Sequence, residues 1–132
     1  MGKTAVRAII IKRGKVLLAK RARNDSVGKW ALVGGKPEAN ESSVDAVVRE
    51  VQEELGLLFH PTYWIERKDN KSVPEETWTV HYFYGKADGE LKPKENEISD
   101  VIYVGEADLT SLNIAFDHRE VLTIFFQKIL KI

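Results

Sequence analysis

Apolar residues open the chain in two short aliphatic runs, Ala5 to Lys12 and Val16 to Lys20, parted by Arg13-Gly14-Lys15. Glycine takes up the positive φ of a tight reversal without steric cost, so the pair predicts an opening β-hairpin. After the polar stretch Arg23 to Lys29, the short run Trp30 to Val33 predicts a strand that ends abruptly at Gly34-Gly35, before Lys36-Pro37. The pattern then changes to helical spacing. Ser42 to Leu55 predicts a helix, with Ser42 as its cap, Asp45 three residues on and Gly56 after the last turn. Val44, Val47, Val48, Val51 and Leu55 define one buried face of that helix. Thr62 to Arg67 and Thr77 to Tyr84 read as strands joined by the polar loop Lys68 to Pro74, and Glu97 to Val104 reads as the last strand. A terminal helix from Asp117 to Lys131 is capped by Asp117 and turns Val121, Leu122, Phe125, Phe126, Ile129 and Leu130 inward. Strands and helices intermingle, which predicts an α/β (α+β) fold, a mixed β-sheet between helices, formed as a single domain over residues 1–132.

Composition narrows the chemistry. At 132 residues, with 43% apolar and 30% charged side chains, the chain is long enough to bury one core. The 20 Lys and Arg balance the 20 Asp and Glu, so no net field draws the protein to nucleic acid or to an anionic membrane. The absence of cysteine excludes a thiol nucleophile, a disulfide framework, a zinc–cysteine cluster and an iron–sulfur centre, and leaves carboxylate, imidazole and backbone oxygen as metal ligands. Near the start, Ala8 to Ile11 is the longest apolar run before Lys12 and Arg13, which argues against a secretory or membrane signal and for a soluble, cytoplasmic protein.

On the helix from Ser42, Glu50, Glu53 and Glu54 share one stripe, roughly 120° around from the valine face. Like charges at these spacings repel, and only Arg49 is adjacent to relieve them. By itself the stripe reads as a solvated acidic face. With Gly34-Gly35 ahead of the helix, it also reads as a place where exposed backbone and carboxylate oxygens converge on a hard divalent cation such as Mg²⁺, and hence as a metal–phosphate site.

The run GKPEANESSVDAVVREVQEELGL, residues 35–57, resembles the Nudix box, G-x₅-E-x₇-R-E-U-x-E-E-x-G-U with U aliphatic, at Gly35, Glu41, Arg49, Glu50, Val51, Glu53, Glu54, Gly56 and Leu57. No specified position is missed, and a match of this length is far more restrictive than a lone glycine motif. The resemblance implies a Nudix-type α/β/α sandwich and a hydrolase that cleaves the diphosphate linkage of a nucleotide with Mg²⁺, Mn²⁺ being a substitute. It implies Glu50, Glu53 and Glu54 as metal ligands with the carbonyl of Gly34, and Glu53 and Glu50 as catalytic carboxylates. Arg49 orients one of them, or forms a plain helical ion pair; Glu41 anchors the loop or reaches a metal through water. Gly35 and Gly56 are structural, one permitting the loop and the other ending the helix.

Outside the box the resemblance points to Arg21 as a phosphate contact and Glu97 as a further ligand or base, with Glu95 and Asp100 competing, and to Lys36 and Asp117 on the substrate. Asp117 is equally the natural helix cap. Trp30 and Tyr82 are candidates to stack on a base, and His81 and His118 carry no metal spacing. Gly34-Gly35-Lys36 and the strand Trp78 to Phe83 look like the MutT-type enzymes that convert a nucleoside triphosphate, oxidised ones included, to monophosphate and pyrophosphate. Ile114 to His118 instead resembles ADP-ribose pyrophosphatases, which release AMP and ribose 5-phosphate. Val33 and Asn40 depart from the usual proline and glycine of the loop. A non-catalytic nucleotide-sensing domain is a further alternative, although such domains typically lose a box glutamate. The expected partner is a small-molecule nucleotide, with no nucleic acid and no membrane, and the expected state a monomer or homodimer. Phe125 and Phe126 serve either an interface or packing on the sheet.

Overall fold

A computed structural model describes residues 3–23, 26–69 and 76–130. The opening hairpin joins β1 (Lys3–Lys12) to β2 (Lys15–Arg21), with Lys12 facing Lys15. Arg13 and Gly14 both have positive φ, 51° and 76°, the two-residue turn whose twist matches that of its strands. Two short strands follow, β3 (Trp30–Ala31) and β4 (Val33–Gly35), then α1 (Ser43–Leu55). After these come β5 (Leu58–Phe59), β6 (Thr62–Asp69), β7 (Trp78–Gly85), β8 (Ala87–Asp88), β9 (Ile98–Val104), a 3₁₀ turn (Glu106–Thr110) and α2 (His118–Lys128).

The main sheet runs β3-β2-β1-β7-β6, with β4 also on β1 and β9 also on β2, while β5 and β8 pair separately. β1 lies at its centre, parallel to β7 from Lys3↔Trp78 to Ile10↔Gly85. Being covered on both faces, it reads as a nearly continuous apolar run. Val6, Ala8 and Ile10 pack with Ala46, Val47, Val51 and Leu55 of α1. Ala5 and Ile9, on the opposite face, pack with Val121, Leu122, Phe125 and Phe126 of α2. Helices thus cover both faces of a mixed sheet, as expected, and Phe125 and Phe126 belong to the core of their own chain.

Five local expectations are corrected. Gly34 and Gly35 do not end a strand; they form β4, opposite Arg7 and Val6 of β1. Trp30 to Val33 is two strands because Leu32 marks where the chain leaves β2 for β1. Val44 is 43% exposed and Ala46 fully buried in its place. Helical spacing sets an angle around the axis, not whether a neighbour reaches the first turn. Ile129 is likewise exposed at 39%, because α2 ends at Lys128 and Ile129 is already its C-cap. Of the expected loop Lys68 to Pro74, Lys68 and Asp69 extend β6, and residues 70–74 lie outside the described residues.

Candidate metal and phosphate site

The site is set by how α1 begins and ends. Ser42 Oγ accepts the Asp45 N–H at 3.1 Å, and Gly56, at φ 72°, donates its N–H to Gln52 O. Between these caps Arg49 holds three carboxylates. Its Nε and Nη2 donate to the two oxygens of Glu41 at 2.8 and 2.9 Å, and its Nη1 donates to Glu50 at 2.9 Å and Glu53 at 3.1 Å. Nη2 also reaches Lys36 O at 3.1 Å, and Glu41 accepts the Glu38 N–H at 2.9 Å, tying the loop to the helix. The fork geometry of a guanidinium suits such bidentate pairing. It holds the Glu41 carboxyl below its usual range, while Glu41 above all raises the guanidinium's pKa.

The three stripe glutamates therefore differ in environment. Glu53 is half-exposed and drawn to Arg49 one turn away. Glu50 is largely covered. Glu54 is partly covered, and its buried Oε2 has no hydrogen-bond partner among the described residues. Burial, then the neighbouring Glu50, push the Glu54 carboxyl far above the carboxylate range. Among the described residues no three acidic or histidine side chains converge as a metal cage. The shared stripe is present, but Glu53 is bonded to Arg49 while Glu54 lines the cleft beside Glu50.

The two glycines explain the close approach. A Cβ on Gly35 would lie 2.5 Å from the Glu50 carboxylate, and one on Gly34 would overlap the Val6 carbonyl oxygen. Glu50 and Glu54 line a cleft of about 200 Å³ with Gly34, Glu97, Arg7, Arg21 and Arg23. Glu97 accepts from Arg23 Nη2 at 2.7 Å. Of its two competitors, Asp100 turns back to the Val101 N–H and Glu95 lines a separate groove. The chemistry of this cleft is hard anionic oxygen beside guanidinium, which suits a divalent cation and the phosphates it carries. The unpartnered Glu54 oxygen, beside the Glu50 carboxylate that the bare Cα of Gly35 admits, fits a metal here.

A second cleft, of about 210 Å³, opens beside the first and is more apolar, walled by Trp78, Val80 and Phe116 with Lys36, Tyr82 and Asp117. Lys36 Nζ lies over the Trp78 ring at 5.1 Å. Asp117 makes no side-chain cap bond to α2, contrary to expectation. Its carboxylate instead accepts from the Tyr82 hydroxyl at 3.4 Å and lies 3.5 Å from Arg67 Nε, and burial raises its pKa. Tyr82 itself is almost wholly buried and presents its hydroxyl rather than a stacking face, while Trp30 packs against the core beside Lys20 and lines neither cleft. His118 is buried and accepts the Leu32 N–H on Nδ1 at 3.1 Å, so it holds the chain between β3 and β4. His81 accepts from or donates to the Tyr63 hydroxyl. Arg7, Trp78 and Phe116 were not among the expected site residues; only Arg7, a lone charge inside an apolar strand, carries a signal in sequence.

The comparisons agree with this geometry. The family profile of the NUDIX domain matches residues 1–125, and the chain belongs to that family of hydrolases, which act on nucleotide pyrophosphate bonds and generally use a divalent metal, typically Mg²⁺. It is 34% identical over 128 residues to nucleoside triphosphatase NudI of Escherichia coli, covering 86% of this chain and 90% of that one. It is 32% identical over 124 residues to ADP-ribose pyrophosphatase of Methanocaldococcus jannaschii, covering 89% and 69%. The crystal structure of a MutT protein from Methanosarcina mazei superposes with a TM-score of 0.82 at 25% identity over 96% of this chain and 94% of that one. No helix of the described residues is long and apolar enough to cross a membrane.

Proposed function

We propose that the chain is a Mg²⁺-dependent pyrophosphohydrolase that converts a nucleoside triphosphate to its monophosphate and pyrophosphate. The observation that carries this reading is the charged cleft, where Glu50, Glu54 and Glu97 stand beside Arg21 and Arg23. Its likeness to NudI over nine-tenths of that protein supports the triphosphate. Glu50, Glu53, Glu54 and the Gly34 carbonyl would hold the metal. When bound there, a divalent cation would supply charge neutralisation at the pyrophosphate oxygens, a more electrophilic phosphorus and a more acidic water.

The rest falls to the chain. Arg21 and Lys36 bind phosphate oxygens, and Glu97 holds Arg23 at the rim. Glu53 takes the proton of the attacking water as its oxygen bonds to phosphorus and the bridging P–O bond breaks. Arg49, bonded to Glu53 at 3.1 Å and clamped by Glu41, fixes the orientation of that carboxylate. The base lies in the apolar cleft between Trp78 and Phe116, with Asp117 and the Tyr82 hydroxyl at its edge.

The second reading, ADP-ribose to AMP and ribose 5-phosphate, is supported by the pyrophosphatase relative from M. jannaschii. A panel of nucleoside triphosphates and ADP-ribose, assayed with Mg²⁺ and with chelator and with products identified, separates the two. Monophosphate plus pyrophosphate supports the first reading and AMP plus ribose 5-phosphate the second. Tight nucleotide binding without turnover would show a sensing domain and overturn both.

A further inference from the structure

We infer that Arg7 is a substrate-positioning residue that grips the nucleotide's first phosphate, between the base and the bond to be broken; this rests on the nucleotide reading above. Among the described residues, Arg7 alone lines both clefts. The reason lies in the sheet. β1 pairs with β4 at Val6, Arg7 and Ala8, and with β2 only further on, at Ile11 and Lys12. Beside Arg7 the two halves of the sheet have separated, and its side chain enters the gap between them.

Three contacts hold it there. Gly34, directly opposite, carries no side chain, and a Cβ at that position would lie 2.9 Å from Arg7 Cδ. Arg7 Nη1 donates to Leu32 O at 2.9 Å, at the link between β3 and β4. Its guanidinium lies 5.3 Å from the Phe116 ring, which takes Arg21 at 5.1 Å. Phe116 does this from a left-handed backbone, φ 57°, a conformation that costs a side-chain-bearing residue free energy and is found where a site requires it. Two guanidinium groups on one ring at the boundary of two clefts concentrate positive charge where an anionic phosphate would be attracted.

A guanidinium with a purely structural task in a strand would spend its donors on backbone carbonyls. Arg7 makes one such bond, and burial lowers its pKa, while Glu54 and Glu50 favour its charge from the first cleft. A nucleotide with its base against Trp78 and its terminal phosphates at the carboxylates must pass Arg7. The group at that passage is the phosphate joined to the nucleoside, and it meets N–H donors in a geometry suited to it.

The experiment compares the wild type with Arg7→Met, which keeps the stem and removes the charge, and Arg7→Lys, which keeps the charge. Steady-state kinetics on the best triphosphate of the panel are combined with binding of the nucleoside monophosphate and of the bare nucleoside, with Tm as a control. Arg7→Met should weaken monophosphate binding and raise KM about tenfold or more. It should leave kcat within a few-fold and nucleoside binding unchanged, and Arg7→Lys should recover part of the loss. A lowered Tm with monophosphate binding and KM unchanged would show a structural arginine and overturn the inference alone. Should Arg7→Met not fold, Arg7→Lys decides it, a measurable rise in KM and in monophosphate Kd being expected and none overturning it. A wild type that neither binds nor cleaves any nucleotide takes the nucleotide reading down first and this inference with it.

Discussion

The two clefts are neighbours of similar size and opposite character. One is lined by Glu50, Glu54, Glu97 and arginines; the other is walled by Trp78, Val80 and Phe116, with Asp69 and the half-buried Asp117 also lining it. In the charged cleft almost every group acts on any substrate that carries a diphosphate, whatever lies beyond it. In the apolar cleft nothing can break a bond, but shape and one hydrogen-bonding edge can choose among bases. On the proposed function, chemistry and selectivity are separated in space, with Arg7 at the join.

This separation predicts that changes in the two clefts have different kinetic signatures. Glu53→Gln, on the α1 stripe beside the charged cleft, should lower kcat by about 100- to 10,000-fold for every accepted nucleotide. Tm should hold, since the Glu53 side chain is 51% exposed. A loss confined to one base would dissolve the distinction between the clefts. Trp78→Ala should do the reverse, raising KM about tenfold and narrowing the ratio of kcat/KM between bases, with little change in kcat.

The metal dependence sharpens the comparison further. Mg²⁺ should raise the Tm of the wild type and of Trp78→Ala alike, whereas Glu54→Gln should abolish most of that rise, which a thermal melt with and without chelator will read. The smallest effect concerns His118, between the clefts. Burial, then Arg7 and Arg21, hold its pKa well below 6.5. Below about pH 6.5 the unfolded chain binds a proton that the fold refuses, so stability is full above that pH and declines beneath it. Melts from pH 8 to 5 should show a fall of roughly a few degrees, less steep in His118→Gln.

Much of the charged cleft is legible in sequence because its groups lie close together on one capped helix. Ser42, Gly56 and the spacing of Glu50, Glu53 and Glu54 are local facts, and α1 forms where they place it. Only part of what separates Glu53 from Glu54 is local. Glu53 turns to Arg49 one helical turn away, a pairing the spacing allows, whereas the covering of the Glu54 oxygen depends on tertiary neighbours. The apolar cleft is legible only in part: Lys36, Tyr82 and Asp117 are named from the sequence and line it, but its walls are not. Trp78 comes from β7, Lys36 from the loop before α1 and Phe116 from the segment before α2, and aromatic residues in strands ordinarily signal core. Of Trp30 and Tyr82, singled out as candidates to stack on a base, Tyr82 is a core residue and Trp30 packs partly buried against the core, and Asp117 turns from capping α2 towards Tyr82 and Arg67 because the sheet brings those partners near. Gly34-Gly35, which punctuates the sequence as a turn would, is a strand whose missing side chains make room for Arg7 and Glu50.

The most direct test of the central claim is a Mg²⁺ titration of pyrophosphate release from the preferred nucleoside triphosphate, run on the wild type and on Glu53→Gln. The account predicts release that rises and saturates with Mg²⁺, stops with chelator, and falls by orders of magnitude in the variant. Release of the same size with chelator present, or in Glu53→Gln, would contradict it.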